Sequence, residues 1–218
     1  MDQSIVSTVF IRNLNARDLP AVADLHTQAF PESLLTRMGK QLICKYYEWQ
    51  SQPPNECNAI GAFDGDELVG FCYSGSFRDA EVYFVIRHWY LAIPAVVKEP
   101  GLLRQIDPFK RLLYLIKAIP RKILKKFAKR NDSNNPTKKY GILSIAVSPG
   151  CQRSGVGALL VQAVHKDASA KGYTQIRLSV HPDNGKAVRF YLKKGWVKVL
   201  DKKGKWAGAM IKDLRPSG

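Results

Sequence analysis

The sequence predicts a mixed α/β domain: a central sheet flanked by helices, with a basic helical insertion. Three observations predict it. Runs with helical spacing alternate with short apolar runs bounded by turn residues, in the order β-α-α-β-β, insertion, β-α-β-α-β-β. One run, "YGILSIAV" (140–147), is apolar at nearly every position, as suits a central strand buried on both faces. The segment 78–139 breaks the pattern and carries most of the charge. A length of 218 residues suits one domain, and 45% hydrophobic residues exclude a disordered chain.

Each element has its own signal. "STVFIRN" (7–13) reads as the first strand. Asp18 ahead of Leu19-Pro20 marks a helix start, and Leu19, Val22, Leu25, Ala29 and Phe30 share one face of that helix before Pro31 ends it. "ESLLTRMGKQLICKYYEWQ" (32–50) reads as one second helix, with Leu34, Leu35, Met38, Leu42 and Tyr46 on one face. "QPPN" (52–55) breaks the chain. "CNAIGAF" and "ELVGFCYSGSF" flank Asp64-Gly65-Asp66 and read as a hairpin. After 140–147 comes a loop, then a helix that Gly172 stops. "TQIRLSV" (174–180) alternates and reads as a strand. "NGKAVRFYLKKG" (184–195) reads as a short helix capped by Asn184 and stopped by Gly195. "WVKVL" and "WAGAMIKD" read as a terminal hairpin around "DKKGK".

The net charge of +16 implies attraction to something anionic. Between 78 and 139, fifteen Lys/Arg stand against five Asp/Glu, a net of +10. From Lys110 to Arg130 nine basic residues occur with no acidic one. Phe109, Leu112, Leu113, Ile116, Ile119, Ile123, Leu124 and Phe127 follow helical spacing there, and Pro120 should kink or split the helix. Such an amphipathic helix either packs its apolar face on its own domain or lies on an anionic membrane, through residues 104–130. Nucleic acid has only the charge in its favour, because the neighbouring Trp89, Tyr90, Phe109 and Tyr114 read as packing residues. "MDQSIVSTVFIRN" has no basic start followed by an apolar run, and no apolar stretch reaches about 18 residues. The expected location is cytoplasmic, with peripheral contact on the inner membrane face as an extension. The four cysteines (Cys44, Cys57, Cys72, Cys151) lack CxxC spacing, so neither a zinc site nor a disulfide framework is expected, and no metal.

The chemistry concentrates after the buried strand. "SPGCQRSGVG" (148–157) is a glycine-rich loop opening a helix, where glycines let backbone N–H groups approach an anion and the helix terminus adds unpaired donors. By itself this is equally a structural turn. It is not a P-loop, since no Gly-Lys-Ser/Thr occurs, and position 160 is Leu where a dinucleotide fingerprint needs its third glycine.

"QRSGVG" (152–157) fits Gln/Arg-x-x-Gly-x-Gly/Ala, the pyrophosphate motif of the GNAT acetyltransferase superfamily. "ILSIAVSPGCQRSGVGALLVQAV" resembles that superfamily's fourth strand, loop and third helix. "LSVHPDNGKAVRFYLKKGWVKV" resembles its fifth strand and fourth helix, with Asn184, Ala187, Phe190 and Tyr191 in the Asn-x-x-Ala-x-x-Phe-Tyr pattern. The resemblance covers roughly 7–77 and 140–212. It implies a GNAT-type mixed, mostly antiparallel sheet in a single domain over 1–218, with the insertion at about 78–139 outside the pattern. "FPESLLTRMGKQLICKYY" is similar to members from bacterial polysaccharide gene sets.

The resemblance implies transfer of an acetyl group from acetyl-CoA to an amine, by direct attack in a ternary complex. Ile145, Ala146 and Val147 would line the pantetheine arm through backbone groups. Gln152, Arg153, Ser154, Gly155, Val156, Gly157 and Ala158 would wrap the pyrophosphate, and Asn184 would hold the pantetheine or serve as a helix cap. Tyr191 would protonate the leaving thiolate. Many relatives carry a Glu near what is here Gly141, so the base stays open between Glu32, His181 and a water chain; Glu81 and His88 could line the acceptor pocket. A small-molecule or sugar amine is the expected acceptor. A protein amine and a non-catalytic acyl-CoA-binding module are the alternatives, and a homodimer is open.

Overall fold

The computed structural model describes residues 8–53, 55–76 and 140–214, together with Phe84, His88, Tyr90, Ile93 and Val97. The described elements are β1 (Val9–Asn13), α1 (Leu19–Ala29), α2 (Leu34–Met38), α3 (Lys40–Gln50), β2 (Glu56–Asp64), β3 (Glu67–Ser76), β4 (Tyr140–Val147), α4 (Val156–Ala170), β5 (Gln175–Ser179), α5 (Gly185–Lys193), β6 (Val197–Leu200) and β7 (Trp206–Asp213). The basic helix expected over 104–130, its kink at Pro120, and Glu81 lie outside the described residues.

Seven strands form one sheet in the order β1-β2-β3-β4-β5-β7-β6. Every pairing is antiparallel except β4 with β5. The sheet is therefore mixed and mostly antiparallel, with β4 at its centre.

Local chemistry explains most boundaries. The β2–β3 hairpin closes on Gly65-Asp66, because Asp64 pairs with Glu67 and Gly65 takes φ +58°, a left-handed value that suits glycine. Asn184 caps α5 by accepting from the Ala187 N–H at 3.1 Å. Gly172, at φ +78°, ends α4 as the Tyr173 N–H closes on Ala168. In the terminal hairpin the Asp201 carboxylate accepts from the N–H groups of Lys203 and Lys205, both at 2.8 Å.

Two expectations need correction. The helix expected over 32–50 is two helices, because Gly39 at φ +99° interrupts it; Ser33 caps α2, and Leu34 lies exposed rather than on a buried stripe. Asp18 does mark the start of α1, as expected, with its carboxylate engaged outside the helix. Asn15 accepts from the Arg17 N–H, and the Asp18 carboxylate turns back to the Asn15 N–H and to Arg12, at 2.8 Å for each guanidinium contact. Trp196 lies ahead of β6 and is buried against Tyr191, not in the strand.

Two apolar clusters cover the two faces of the sheet. On one face α4 and α5 pack through Val156, Leu160, Val161, Val164 and Tyr191 onto Ile60, Cys72, Ile142 and Met210. On the other, α1 and α3 pack through Val22, Leu25, Ile43 and Tyr47 onto Phe71, Tyr73 and Ala146. Phe84 and His88 join this second face, with ring centroids 5.3 Å from Tyr46 and 6.0 Å from Trp49. Gly70 on β3 lets α4 sit close: a Cβ there would stand 3.0 Å from Val156 and 3.1 Å from Leu160.

Candidate active site

The site grows from one irregularity in the sheet. β4 and β5 pair only at Tyr140↔Ile176 and Gly141↔Arg177, and then diverge. From Ile142 onward the β5-facing edge of β4 has no strand partner among the described residues, so a wedge opens between the C-terminal ends of two parallel strands. The Ser148 N–H donates to Val69 of β3 at 2.8 Å. By the two-residue alternation of a strand, the backbone groups of Ile145 and Val147 then face the wedge. Ala146 turns its backbone toward β3 and its side chain into the α1/α3 core, so of the three residues expected to line the pantetheine arm only Ile145 and Val147 present backbone groups to the wedge.

A bulge sharpens this edge. Across β3, Tyr73 pairs with Ser144 but Ser74 pairs with Ile142, which leaves Leu143 unpaired. Leu143 and Ser144 consequently both turn toward α1 and α3, where Leu143 packs and Ser144 meets Tyr47.

The loop after β4 is held by its own bonds. Ser154 is buried and donates to the Cys151 carbonyl at 2.6 Å. Arg153 takes φ +68° and Gly155 φ +94°, two left-handed residues in three, which turn the chain into α4. For Arg153 that conformation is strained, the kind of cost found at ligand-binding loops. Gln152, Arg153 and Gly155 are exposed, Ser154 and Val156 buried, Gly157 and Ala158 half-buried. Helix α4 runs 15 residues, and its first N–H groups point out of the loop, a ready anion site. Gly157 needs no glycine for packing, since a Cβ would make ordinary contacts with Val147 at 3.7 Å and Phe190 at 3.8 Å. Those contacts put the end of β4, the start of α4 and α5 against one another at the wedge.

Helix α5 brings Tyr191 to the α4 side of the sheet. Its ring is buried between Phe190, at 5.2 Å, and Trp196, at 5.5 Å. Burial, with Cys72 nearby, pushes the phenol pKa up, so it is protonated at neutral pH and able to donate. No described residue hydrogen-bonds its hydroxyl. Asn184 is exposed, and its side-chain oxygen is engaged in the α5 cap. The residues expected to hold a CoA-type group are compatible with one: a glycine loop on a helix terminus, with a strand edge and a phenol that have no partner among the described residues.

Residues 123–196 match the family model described as the acetyltransferase (GNAT) family. That stretch contains β4, the glycine loop before α4, and α5. No curated protein gives a significant match. Among solved structures, the chain is similar to the ribosomal-protein-S18-alanine N-acetyltransferase of Escherichia coli, at 15% identity and TM-score 0.54, with 96% of each chain covered. It is similar to the PaiA N-acetyltransferase of Thermoplasma acidophilum in complex with coenzyme A, at 15% identity and TM-score 0.56, covering 94% of this chain and 98% of that one. YncA of Salmonella typhimurium, solved with its cofactor acetyl-CoA, gives 13% identity and TM-score 0.56, with 97% and 96% covered. At these identities the likeness shows the fold.

Around this candidate site the expected bases are scattered. Glu32 is exposed in the α1–α2 loop. His181 lies just beyond β5, exposed, and its Nδ1 accepts the Asp183 N–H at 3.3 Å within its own turn. Among the described residues neither hydrogen-bonds to Tyr191 or β4. His88 packs among Phe84, Trp49 and Tyr90. Sequence reasoning missed a different group. His26, buried on α1, bonds Tyr47 through Nδ1 at 2.8 Å and Ser33 through Nε2 at 3.1 Å. Tyr47 in turn donates to Ser144 on β4 at 2.9 Å. Burial pushes the His26 pKa down to about 4 and the Tyr47 pKa up. The one sequence signal was His26 standing a helical turn after Val22, a polar residue on an apolar face. Among the described residues no group of His, Cys, Asp or Glu is placed to hold a metal ion, and no helix is long and apolar enough to cross a membrane.

Proposed function

We propose that this protein is an acetyl-CoA-dependent N-acetyltransferase acting on a primary amine of a small molecule or amino sugar, by direct attack in a ternary complex. The wedge between β4 and β5, closed at one end by the loop before α4 and flanked by a Tyr191 hydroxyl without a hydrogen-bond partner among the described residues, carries this reading. Acetyl-CoA supplies the acetyl thioester when bound. Ile145 and Val147 would extend their backbone groups to the pantetheine amides as to an added strand. Residues 152–158 would hold the pyrophosphate through N–H groups, with Arg153 adding charge. Tyr191 would give its proton to the departing thiolate. Donor chemistry then lies toward the α4 face and the amine approaches from the α1/α3 face.

The acceptor wall would be α1, α2, α3 and the insertion, within one domain over 1–218. Resemblance of 30–47 to polysaccharide-associated members favours an amino sugar. The basic stretch 104–130 suits a phosphorylated or lipid-linked acceptor at an anionic membrane, which flotation with anionic liposomes at moderate salt tests. Cytoplasmic placement and a homodimer belong to the same proposal.

The test is thiol release from acetyl-CoA against an amine panel that includes amino sugars, polyamines and peptides, with Tyr191→Phe alongside. Loss of turnover in Tyr191→Phe with retained CoA binding is expected. Absence of CoA binding in the wild type would overturn the reading, CoA binding without turnover of any amine would favour a non-catalytic acyl-CoA module, and turnover of peptides alone would favour a protein acetyltransferase.

A further inference from the structure

His26 stands inside the protein with both ring nitrogens engaged. Helix α3 presents Tyr47 to Nδ1, the α1–α2 loop presents Ser33 to Nε2, and Phe30 packs on the ring at 4.9 Å. Beyond Ser33 the chain continues: Ser33 donates to Thr36 Oγ1 at 2.9 Å, and Thr36 donates to the Phe30 carbonyl at 2.7 Å. At the other end Tyr47 reaches Ser144 at 2.9 Å, 97 residues away in sequence. A continuous line of hydroxyl and imidazole groups thus joins the bulge of β4 to a half-buried loop.

Neutral His26 carries one ring proton and can satisfy its partners in two ways. With the proton on Nδ1, His26 donates to Tyr47, Tyr47 donates to Ser144, and Ser33 donates to Nε2. With the proton on Nε2, His26 donates to Ser33, Ser33 donates to Thr36, Tyr47 donates to Nδ1, and the Ser144 hydroxyl turns to donate to Tyr47, the reverse of the direction seen in the structure. The second arrangement becomes the first when one proton enters at Ser144 and one leaves at Ser33. Nothing else changes, and no charge is left inside.

We propose that Ser144, Tyr47, His26 and Ser33 are a proton relay that carries the acceptor amine's proton from β4 to the α1–α2 loop. The proposal rests on the acetyl-transfer reading above. Ser144 lies one residue before Ile145, whose backbone faces the wedge, and its side chain is on the α1/α3 face, opposite the face that holds Tyr191. The amine nitrogen loses a proton to Ser144 Oγ as it bonds the acetyl carbon. Ser144 passes its own proton to Tyr47, Tyr47 passes its own to His26 Nδ1, and the Nε2 proton goes to Ser33, which releases one to water. The depressed basicity of buried His26 keeps it from trapping the proton. Charged groups add nothing to that depression, which burial alone causes; Tyr47 is the titratable group against the ring. This relay stands where the chain lacks a carboxylate on β4, Gly141 being at the start of that strand.

The experiment compares wild type, Tyr47→Phe and Ser33→Ala in thiol release from acetyl-CoA, with glucosamine and with propylamine as probes, and with water alone as acceptor if neither amine is turned over. Tyr47→Phe removes the hydroxyl that joins His26 to Ser144 but keeps the ring. The expected result is a fall in kcat of about a hundredfold, little change in KM, and CoA affinity within about threefold of wild type. The fall should be steeper for propylamine, the stronger base, than for glucosamine, which sheds its proton more readily. A structural role would lower both equally. Should Tyr47→Phe fail to fold, Ser33→Ala cuts the far end from a half-buried site and should show the same asymmetry. Unchanged kcat in folded variants, or equal losses with the two amines, overturns the relay. No thiol release by wild type with any acceptor, water included, defeats the acetyl-transfer reading itself and the relay with it.

Discussion

Gly155 and Gly157 stand two residues apart in one motif, yet the structure gives them different work. Gly155 has φ +94° at the entry to α4, a value L-residues rarely adopt. Gly157 has ordinary helical surroundings, with room for a Cβ at 3.7 Å from Val147 and 3.8 Å from Phe190. Gly155→Ala should cost about 1–2 kcal/mol of stability from left-handed strain. At about 2–4 °C per kcal/mol for a chain of this size, Tm should fall by about 2–8 °C. Gly157→Ala should instead gain up to about 1 kcal/mol, because alanine is the better helix former, and raise Tm by about 2–4 °C. Binding should divide them further. Relaxing residue 155 re-aims the N–H groups of the loop, so CoA affinity should weaken at least about tenfold, worth about 1.4 kcal/mol. Gly157→Ala should leave it within about threefold, since its Cβ enters the packing between β4 and α5 and not the mouth of the loop. Differential scanning fluorimetry and calorimetric CoA titration read both quantities. If Gly155→Ala is as stable as wild type, the left-handed entry is wrong. If both variants bind CoA like wild type, the loop does not hold the pyrophosphate.

Three more outcomes are expected. Asn184→Ala should cost about 1 kcal/mol by uncapping α5, and Asn184→Asp should restore the cap; any CoA affinity still missing in Asn184→Asp belongs to the lost amide N–H₂, and full recovery limits Asn184 to capping. Gly75→Ala should abolish soluble expression or lower Tm by more than about 10 °C, because Gly75 has φ +146° and a Cβ would fall on the Glu56 carbonyl; a folded Gly75→Ala protein would refute the β2–β3 register. His26 has a folded pKa of about 4, below its ordinary 6.5. Its protonation therefore favours the unfolded chain. The stability it permits is complete above about pH 6.5 and is lost as pH falls toward 4. His26→Gln should flatten that part of a Tm–pH curve, and a curve of unchanged slope would show that His26 is not buried as neutral imidazole.

Local patterning was enough for most elements. The Asp-Gly turn, the Asn184 cap, the alternation of β5 and the glycines at 172 and 195 are chemistry between residues fewer than six apart, so they stand in the sequence itself. The glycine loop and the Asn184–Tyr191 helix left a structural turn open on their own chemistry, and pointed to a CoA-type site only through their resemblance to a family's motifs. Gly39 was legible in principle: a helix crossing it had to accommodate a residue that prefers to break it, but the apolar spacing on either side hid the break. Three features had no local signature. The divergence of β4 from β5 follows from which strands pair and for how long. The bulge at Leu143 is a mismatch between two strands separated by more than sixty residues. The line from Ser33 through His26 and Tyr47 to Ser144 depends on α1, α3 and β4 meeting on one face, with contacts 21 and 97 residues apart. Backbone conformation is chosen by near neighbours and can be read one segment at a time. The site is made by edges and faces that exist only once the sheet has assembled, and there the tertiary structure alone decides which side chains meet.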